Sequence, residues 1–463
     1  MRALTTHLQQ AIFFTVLSLA LWPLTLPGLN DKSLYIVIGL GILVVCFPFY
    51  LSNIKNDIIN RFLFPFFLLV VFTMFYRGIG FQVLGGGSRG GFLYLSIITP
   101  LLFIFFSQSI IINNRSLSKI LVFVFTFALV FTVLQTLQSL EIIKLPGFIL
   151  SLKDVAFSGQ ILNNIGYFRI GSLYLFTNLA FLFVLLQRRY NRITEKELIF
   201  YLIFIGIAAL SGHRISIITL TGYLFFTFLF SAGSTKRNLR TIFKFALIAL
   251  ITYFLLIITK HHLPTVMVRA FSWLPGFADV NAQETSQWRL ELWLLSVTKE
   301  LPSYLWIGKG LTQTYANRIN IYGYDAKYVD FIDSINYHNG PLSIMICFGV
   351  PAFIFFLISH IMTIKRIFNN RNSICFEQSN KLSVLLSSMI AAYLTNIFIF
   401  FFIYGDLTVS FIFLHTVAAI IVLGMKNLSM NFNKQIPFHH TKMPHIQLFP
   451  NSTSEITDDI HKK

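Results

Sequence analysis

Apolar segments long enough to cross a lipid bilayer recur along this sequence. Twelve of them lie near residues 8–26, 34–51, 62–76, 92–112, 117–139, 170–187, 198–210, 215–232, 242–259, 340–363, 383–404 and 408–425. A helix needs about 20 mainly apolar residues to cross a hydrocarbon core of about 30 Å. Hydrophobic residues make up 55% of the 463 positions and charged residues 12%, which excludes an ordinary soluble domain. The sequence predicts an all-α polytopic membrane protein with about twelve transmembrane helices.

Lysine and arginine accumulate in alternate loops of this predicted topology. The loops 52–61, 113–119, 188–197, 233–244 and 364–381 carry sixteen of these residues, against seven in 27–33, 77–91, 140–169, 211–214 and 405–407. Positive residues in short loops tend to remain cytoplasmic, so both termini are predicted to be cytoplasmic. The net charge of +18 then reflects topology and attraction to anionic membrane lipids, and no nucleic acid is needed to explain it.

The longest stretch between predicted spans separates the ninth span from the tenth. The predicted domains are 1–259, spans 1–9 with short loops; 260–339, an outer module; 340–425, spans 10–12; and 426–463, a polar cytoplasmic tail. Within the outer module, Thr285 or Ser286 is a candidate cap for a helix through residues 287–301. Trp288, Leu292 and Leu295 share one apolar stripe of that helix, which suits a helix lying in the membrane interface.

The predicted spans hold almost no ionisable side chains, unlike those of ion-coupled transporters. Cationic residues gather instead at the outer ends of spans and in outer loops: Arg77, Arg89, Arg169, Arg214, Arg289 and His338. An arginine at that depth ordinarily reaches toward lipid headgroups, and this explains Arg77 and Arg89. The other four residues belong to a recurring pattern of motifs.

Four motifs follow one another in the chain. They are YFRIGSLYLFTNLAF with Arg169, SGHRISI with His213 and Arg214, WRLELWLLSVTKELPSYLWIGKG with Arg289 and Trp293, and YHNGPLSIMICFG with His338 and Asn339. In this order, and at the outer face, they resemble the O-antigen ligase family, which includes related O-antigen and exopolysaccharide polymerases. The resemblance covers roughly residues 160–355 and implies a GT-C-like membrane glycosyltransferase.

The resemblance implies transfer of a glycan from an undecaprenyl-diphosphate carrier to an acceptor sugar at the periplasmic face of the bacterial inner membrane. The departing diphosphate gains negative charge, and arginine's planar fork of donors matches phosphate oxygens. Arg214 and Arg289 are therefore the first candidates for stabilising the transition state, and Arg169 is the third. The acceptor is expected to be a lipid A core sugar or another lipid-linked saccharide.

His338 is the candidate base for the acceptor hydroxyl, since an unperturbed imidazole with a pKa near 6.5 accepts a proton at neutral pH. Asn339 is expected to orient that imidazole or a sugar hydroxyl, and Trp293 to contact substrate. His213 has a helper or a structural role. No metal or cofactor is expected, because Asp325, Asp330 and Asp333 suit a polar surface better than a cation site.

Two alternatives remain open at this point. A polymerase would use the same arginines but take a second lipid-linked repeat as its acceptor. A transporter or flippase of lipid-linked sugar is less favoured, because twelve-span carriers built from two halves bind substrate near mid-membrane, whereas here the charged residues lie at the outer ends of spans.

Reporter fusions test the predicted topology. A fusion at Asn191 and a fusion at Asn317 should report opposite sides of the membrane, because they follow an even and an odd number of spans from a cytoplasmic N-terminus. Alkaline phosphatase and fluorescent protein fusions at both positions make the measurement. Identical sidedness at the two positions would contradict the model.

Overall fold

A computed structural model of the chain is helical throughout the residues it describes. Those residues are 9–18, 58–76, 89–110, 112–139, 142–144, 173–187, 195–210, 214–230, 235–263, 265–272, 274, 276–277, 280–311, 337–371, 374, 381–405, 407 and 409–435. The predicted span 34–51 and the predicted tail beyond residue 435 lie outside this part of the chain. The all-α prediction is confirmed for the described residues.

Fourteen α-helices are described, which we number in chain order. They are α1 (9–18), α2 (Ile58–Tyr76), α3 (Arg89–Ser109), α4 (Asn114–Ser139), α5 (Leu173–Leu186), α6 (Glu195–Leu210), α7 (Arg214–Phe230), α8 (Thr235–Ile258), α9 (Thr265–Ala270), α10 (Val280–Leu295), α11 (Gly340–Phe348), α12 (Val350–Asn369), α13 (Lys381–Phe402) and α14 (Val409–Gln435). Short 3₁₀ turns lie at Lys260–His262 and Leu301–Tyr304, and a π-helical turn lies at Ser296–Glu300.

Four of the described helices are long and apolar enough to cross a membrane. They are Ile59–Tyr76, Val350–Asn369, Lys381–Phe402 and Ser410–Leu428, and three shorter apolar helices cover Thr177–Leu186, Ile199–Ala209 and Arg214–Phe230. The protein is thus a membrane protein by the length and composition of its helices. The full count of twelve spans remains a prediction.

Helices α13 and α14 form the centre of the bundle, where almost every side chain is buried. Helix α14 packs on α3, α13 packs on α7, and α12 packs on α2. Large apolar side chains of the peripheral helices point outward, among them Leu68 and Phe72 of α2, Leu202 of α6, and Phe243 and Phe254 of α8. An apolar exterior around a packed interior is the arrangement that lipid requires.

Polar side chains join three helices inside this apolar bundle. Tyr223 of α7 donates its hydroxyl to Oδ1 of Asn178 on α5 at 3.0 Å, and Asn396 of α13 donates to the same oxygen at 3.1 Å. All three side chains are buried. In lipid such interhelical hydrogen bonds help to hold helices together, because a buried amide left without a partner is costly.

The contacts between α5, α7 and α13 also give the direction of each helix. Ser388 of α13 bonds Leu185 of α5, and Asn396 bonds Asn178, so the contact moves down α5 as it moves up α13. These two helices are antiparallel. Helix α7 runs parallel to α5, because Thr177 bonds Ser216 on α7, and Phe181, one turn later, lies 5.7 Å from the ring of Tyr223.

These directions bring Arg214 and Tyr404 to the same end of the bundle. Gly222 of α7 contacts Thr395 of α13 so closely that a Cβ atom would lie 2.7 Å from the threonine methyl. Arg214 lies eight residues before this contact and Tyr404 nine residues after it, on antiparallel helices. We call this end of the molecule the site end.

Two buried histidines correct the expectation that the spans hold almost no ionisable side chains. His360 of α12 bonds the hydroxyl of Tyr393 on α13 at 2.7 Å, and its ring centroid lies 5.2 Å from that of His415 on α14. The ring centroid of Phe411 lies 3.9 Å from that of His415. A count of lysines, arginines and carboxylates passes over such residues, because a neutral imidazole packs among aromatic rings.

The predicted span 340–363 is not one continuous helix. Helix α11 ends at Phe348, Gly349 takes a φ of 90°, and α12 starts at Val350. A left-handed φ suits glycine because a side chain would be strained there. This correction matters for the site, because residues 305–311 bond to the chain at the break.

Helix α10 also differs from its prediction. It begins at Val280, so Thr285 and Ser286 lie inside the helix and do not cap it. The predicted stripe packs inward, since Leu292 is buried and Trp288 and Leu295 pack against the core. A stripe buried by the protein itself is not free to lie in the membrane interface, and the large apolar residues that α10 exposes are Leu290 and Leu294.

The hydrogen bonds of Asn178 can be tested by substitution. Asn178→Leu should lower the free energy of unfolding by about 1–2 kcal/mol, because Tyr223 and Asn396 both lose an acceptor. Thermal unfolding of the purified protein in detergent measures the effect. The control is Ser107→Ala, since the buried Ser107 hydroxyl donates within its own helix to Ile104; equal melting temperatures of the two variants would contradict the interhelical role.

Candidate functional site

The site is organised by the way residues 305–311 fasten to the break between α11 and α12. Lys309 donates its backbone N–H to Ile346 at 2.9 Å, and Gly310 donates to Cys347 at 3.0 Å. Val350, the first residue of α12, donates to Leu305 at 2.8 Å. These bonds satisfy backbone groups exposed where α11 ends and α12 begins, and they hold residues 305–311 against the bundle.

Two glycines permit this close approach. A Cβ atom on Gly308 would lie 2.0 Å from the carbonyl oxygen of Cys347, and one on Gly349 would lie 2.5 Å from that of Trp306. No side chain fits at either position without moving the backbone. Gly308 of the Gly-x-Gly sequence and the later Gly349 thus lie on the two sides of one backbone contact.

A tryptophan one turn after Arg289 holds the segment before His338. The indole Nε1 of Trp293 donates to the carbonyl oxygen of Tyr337 at 2.6 Å. Trp293 was predicted to contact substrate, and the structure gives it this structural bond. The spacing Arg-x-x-x-Trp therefore places Arg289 near His338, because the arginine and the tryptophan lie on one face of α10.

His338 lies in a narrow aromatic setting. Its backbone φ is 53°, and among the described residues it is the one non-glycine residue with a positive φ. Its ring centroid lies 4.9 Å from that of Tyr404 and 6.2 Å from that of Trp288, and 9% of the residue is exposed. A left-handed non-glycine residue stores strain, and such strain concentrates at functional sites.

Arg289 and His338 both pack against Tyr404. The guanidinium carbon of Arg289 lies 6.0 Å from the centroid of the Tyr404 ring, within the range of a cation–π contact. The structure thus brings together two of the three predicted catalytic residues. Tyr404 itself was not predicted, because it follows α13, far along the chain from the motifs.

Asn339 has a definite structural role. Its side-chain oxygen accepts from the backbone N–H of Leu342 at 3.0 Å, which caps the N-terminus of α11. Gly340 follows at the first turn, where a Cβ atom would lie 2.4 Å from the ring of Phe400. The Asn-Gly sequence after His338 therefore fixes the direction in which the chain enters the bundle as α11.

Arg214 begins α7 at the site end of the bundle. Its Nη1 lies 3.3 Å from the hydroxyl oxygen of Ser272, in the turn after α9. Arg214 thus contacts the turn after α9, whereas Arg289 lies on α10. The structure places the two arginines at the same end of the molecule, on different helices.

Several predicted residues lie outside the described part of the chain. Arg169 is four positions before the start of α5, and His213 directly precedes Arg214. The carboxylates Asp325, Asp330 and Asp333 also lie outside it. Within the described residues, no group of three or more histidine, cysteine, aspartate or glutamate side chains could hold a metal ion.

Three further residues near His338 escaped prediction from the sequence. Lys309 forms an ion pair with Glu300 at 3.0 Å, and Tyr337 donates its hydroxyl to the other carboxylate oxygen at 2.8 Å. The three side chains are 0–1% exposed, and Tyr337 directly precedes His338. Glu300 and Lys309 resemble solvated loop charges in the sequence, since nothing in their local pattern indicates burial.

A cavity of about 690 Å³ lies at the opposite end of the bundle. Its lining includes Lys119, Gln187 and Lys381. Lys381 is the first residue of α13, so the length of that helix, about 33 Å, separates the cavity from the region of Tyr404. The cavity is therefore not part of the site.

Comparison with known proteins agrees with these observations. Residues 199–357, which are 159 of the 463 positions, match the family model described as O-antigen ligase. A search of curated proteins finds no match to the chain. The matched segment contains Arg214, Arg289 and His338, and it confirms over residues 199–357 the resemblance to the O-antigen ligase family that the motifs indicate.

Proposed function

We propose that the protein transfers a glycan from undecaprenyl diphosphate to a lipid A core sugar at the periplasmic face of the bacterial inner membrane. The family match supports a membrane glycosyltransferase of the ligase and polymerase type. The observation that carries the proposal is the meeting of Arg289 and His338 around Tyr404. A cation for a departing diphosphate and a base for an incoming hydroxyl are the two groups that this transfer needs.

In the proposed reaction, an acceptor hydroxyl oxygen attacks the anomeric carbon of the carrier-linked glycan. The bond between that carbon and the diphosphate oxygen breaks, and the electron pair leaves with undecaprenyl diphosphate. Arg289 and Arg214 stabilise the charge that develops on the phosphate oxygens. His338 takes the proton of the acceptor hydroxyl.

The remaining predicted residues take supporting roles in this proposal. Arg169, which precedes α5, contributes a third cation to the diphosphate site, and His213 lies beside Arg214 in the sequence. Asn339 and Trp293 hold the backbone on either side of His338, so they act through His338. The reaction is proposed to use no metal, because arginines supply the positive charge.

The placement of the site at one end of the bundle favours transfer over transport. Arg214, Tyr404 and the break before α12 share that end, and the C-terminal ends of α5 and α12 lie at the other. Arg371, just after α12, bonds the carbonyl of Leu229 near the end of α7, which is the opposite end of α7 from Arg214. A polymerase would place the same residues in the same way and differ in its acceptor.

Lipopolysaccharide from a strain lacking the protein tests the proposal. Loss of a ligase should leave the core unmodified while polymer remains on its carrier. Gel electrophoresis of lipopolysaccharide, with a parallel analysis of carrier-linked glycan, makes the measurement. Core bearing a single repeat would instead assign the protein as a polymerase, and an unchanged pattern in both fractions would contradict either transfer reaction.

Donor binding and turnover should separate the roles of His338 and Arg289. His338→Ala should lower turnover by about 10² to 10⁴ and leave carrier binding nearly intact, as expected for a general base. Arg289→Lys should weaken donor binding, turnover or both, because lysine keeps the charge but loses the planar fork. Both are measured on purified protein with carrier-linked glycan.

Matched controls come from elsewhere in the chain. His261→Ala removes an exposed histidine of the outer module, and Arg371→Lys alters an arginine at the opposite end of the bundle. Both controls should behave as wild type. If His338→Ala abolishes carrier binding as fully as Arg289→Ala does, then His338 belongs to the phosphate site and is not the base.

A further inference from the structure

A buried charged cluster lies directly behind His338. Nζ of Lys309 lies 3.0 Å from Oε1 of Glu300, and the hydroxyl of Tyr337 donates to Oε2 of Glu300 at 2.8 Å. Lys309 also bonds the Tyr337 hydroxyl, and its Nζ lies 4.8 Å from the centroid of that ring. Each side chain of this triad contacts both of the others.

Burial makes this arrangement unlike a surface ion pair. Glu300 and Tyr337 are fully buried and Lys309 is 1% exposed. Removing two charges from water is costly, and well-packed apolar side chains often stabilise a fold as well or better. A buried ion pair instead fixes the relative position of its two side chains, because the charges attract each other strongly in only a few arrangements.

The triad joins three pieces of the chain that build the site. Glu300 ends the π-helical turn that continues α10, the helix that carries Arg289. Lys309 lies between Gly308 and Gly310, at the end of α11, and its backbone N–H bonds Ile346. Tyr337 precedes His338. The triad therefore links the helix of Arg289 to the segment of His338.

Tyr337 is held at both of its ends. Its carbonyl accepts from Trp293 and its hydroxyl is bonded within the triad. On the far side of His338, Asn339 is fixed as the cap of α11. His338 thus lies between two anchored residues, and these anchors maintain its left-handed backbone, which costs free energy in a non-glycine residue.

We propose that Glu300, Lys309 and Tyr337 are positioning residues that hold His338 in place for the transfer reaction. The proposal rests on the proposed function for what His338 does, but not for how it is held. None of the three is a catalytic residue, since their burial keeps them from substrate. A displacement of about 1 Å in a reacting group can lower a rate by about 100-fold, so loss of the triad should affect turnover.

Tyr337→Phe is the sharpest substitution, because it removes one hydroxyl and keeps the ring. Turnover should fall by up to about 100-fold while KM for the donor is unchanged, since the diphosphate site is not altered. The matched control is Tyr223→Phe, which removes the hydroxyl of a fully buried tyrosine in the membrane bundle. Its turnover should equal that of wild type. Normal turnover in folded Tyr337→Phe, or a change in KM alone, would overturn the proposal.

A second measurement does not depend on the reaction. Diethyl pyrocarbonate modifies accessible imidazoles, and mass spectrometry gives the rate for His338 itself. The modification rate should rise in Tyr337→Phe, because His338, which is 9% exposed, loses an anchor and becomes more mobile. The rate should not rise in Tyr223→Phe. An unchanged rate overturns the positioning role. If the modification rate rises in Tyr337→Phe but the wild-type protein shows no transfer activity, the positioning role is retained and the proposed function is rejected.

The ion pair supplies a variant for the case in which Tyr337→Phe does not fold. Glu300→Gln with Lys309→Met removes both charges together, so no charge is left buried without its partner. The double variant should show the same fall in turnover and the same rise in His338 modification as Tyr337→Phe. Wild-type values for both quantities in the folded double variant would overturn the proposal.

Discussion

The contact between residues 305–311 and the break after α11 is the constraint on which the rest of the site depends. Backbone groups at a helix break inside a membrane bundle need partners, and here Lys309, Gly310 and Leu305 supply them. Gly308 and Gly349 let the two backbones meet. Because this contact fixes the end of α10 against the start of α12, Arg289 and His338 come to lie around Tyr404. The break in the span is thus part of the site.

Sequence patterns predicted the parts of this structure that depend on local composition. Apolar length identified the membrane helices, and the order of the motifs predicted the resemblance to the family. The same motifs singled out Arg289 and His338, which the structure places around Tyr404. The interior of the motifs was harder to predict. Trp293 was predicted to contact substrate, and Asn339 to orient the imidazole or a sugar hydroxyl. The structure adds that Trp293 bonds the carbonyl of Tyr337 and that Asn339 caps α11. Polar side chains beside a candidate base can bond the backbone as readily as the substrate, and only their hydrogen bonds distinguish the two roles.

Long-range burial was outside the reach of the sequence. Glu300 and Lys309 are nine residues apart in a loop-rich segment, and their charges alone indicate solvent exposure. His360 and His415 lie in apolar spans where two isolated histidines carry little pattern, and they meet only because α12 and α14 both pack near Tyr393. Each case requires the packing of helices distant in sequence, which local periodicity does not contain.

The turn between α13 and α14 has a consequence for how such proteins diverge or can be recombined. Tyr404 contacts both Arg289 and His338, and a Cβ atom on Gly405 would lie 2.4 Å from the backbone nitrogen of Gly340. Both residues lie beyond position 357, where the family match ends. A chimera that exchanged only the matched segment would combine Arg289 and His338 from one parent with the residues at positions 404 and 405 from the other. The segment that must be exchanged as a whole to preserve this site is therefore longer than the matched domain, and it extends to the start of α14.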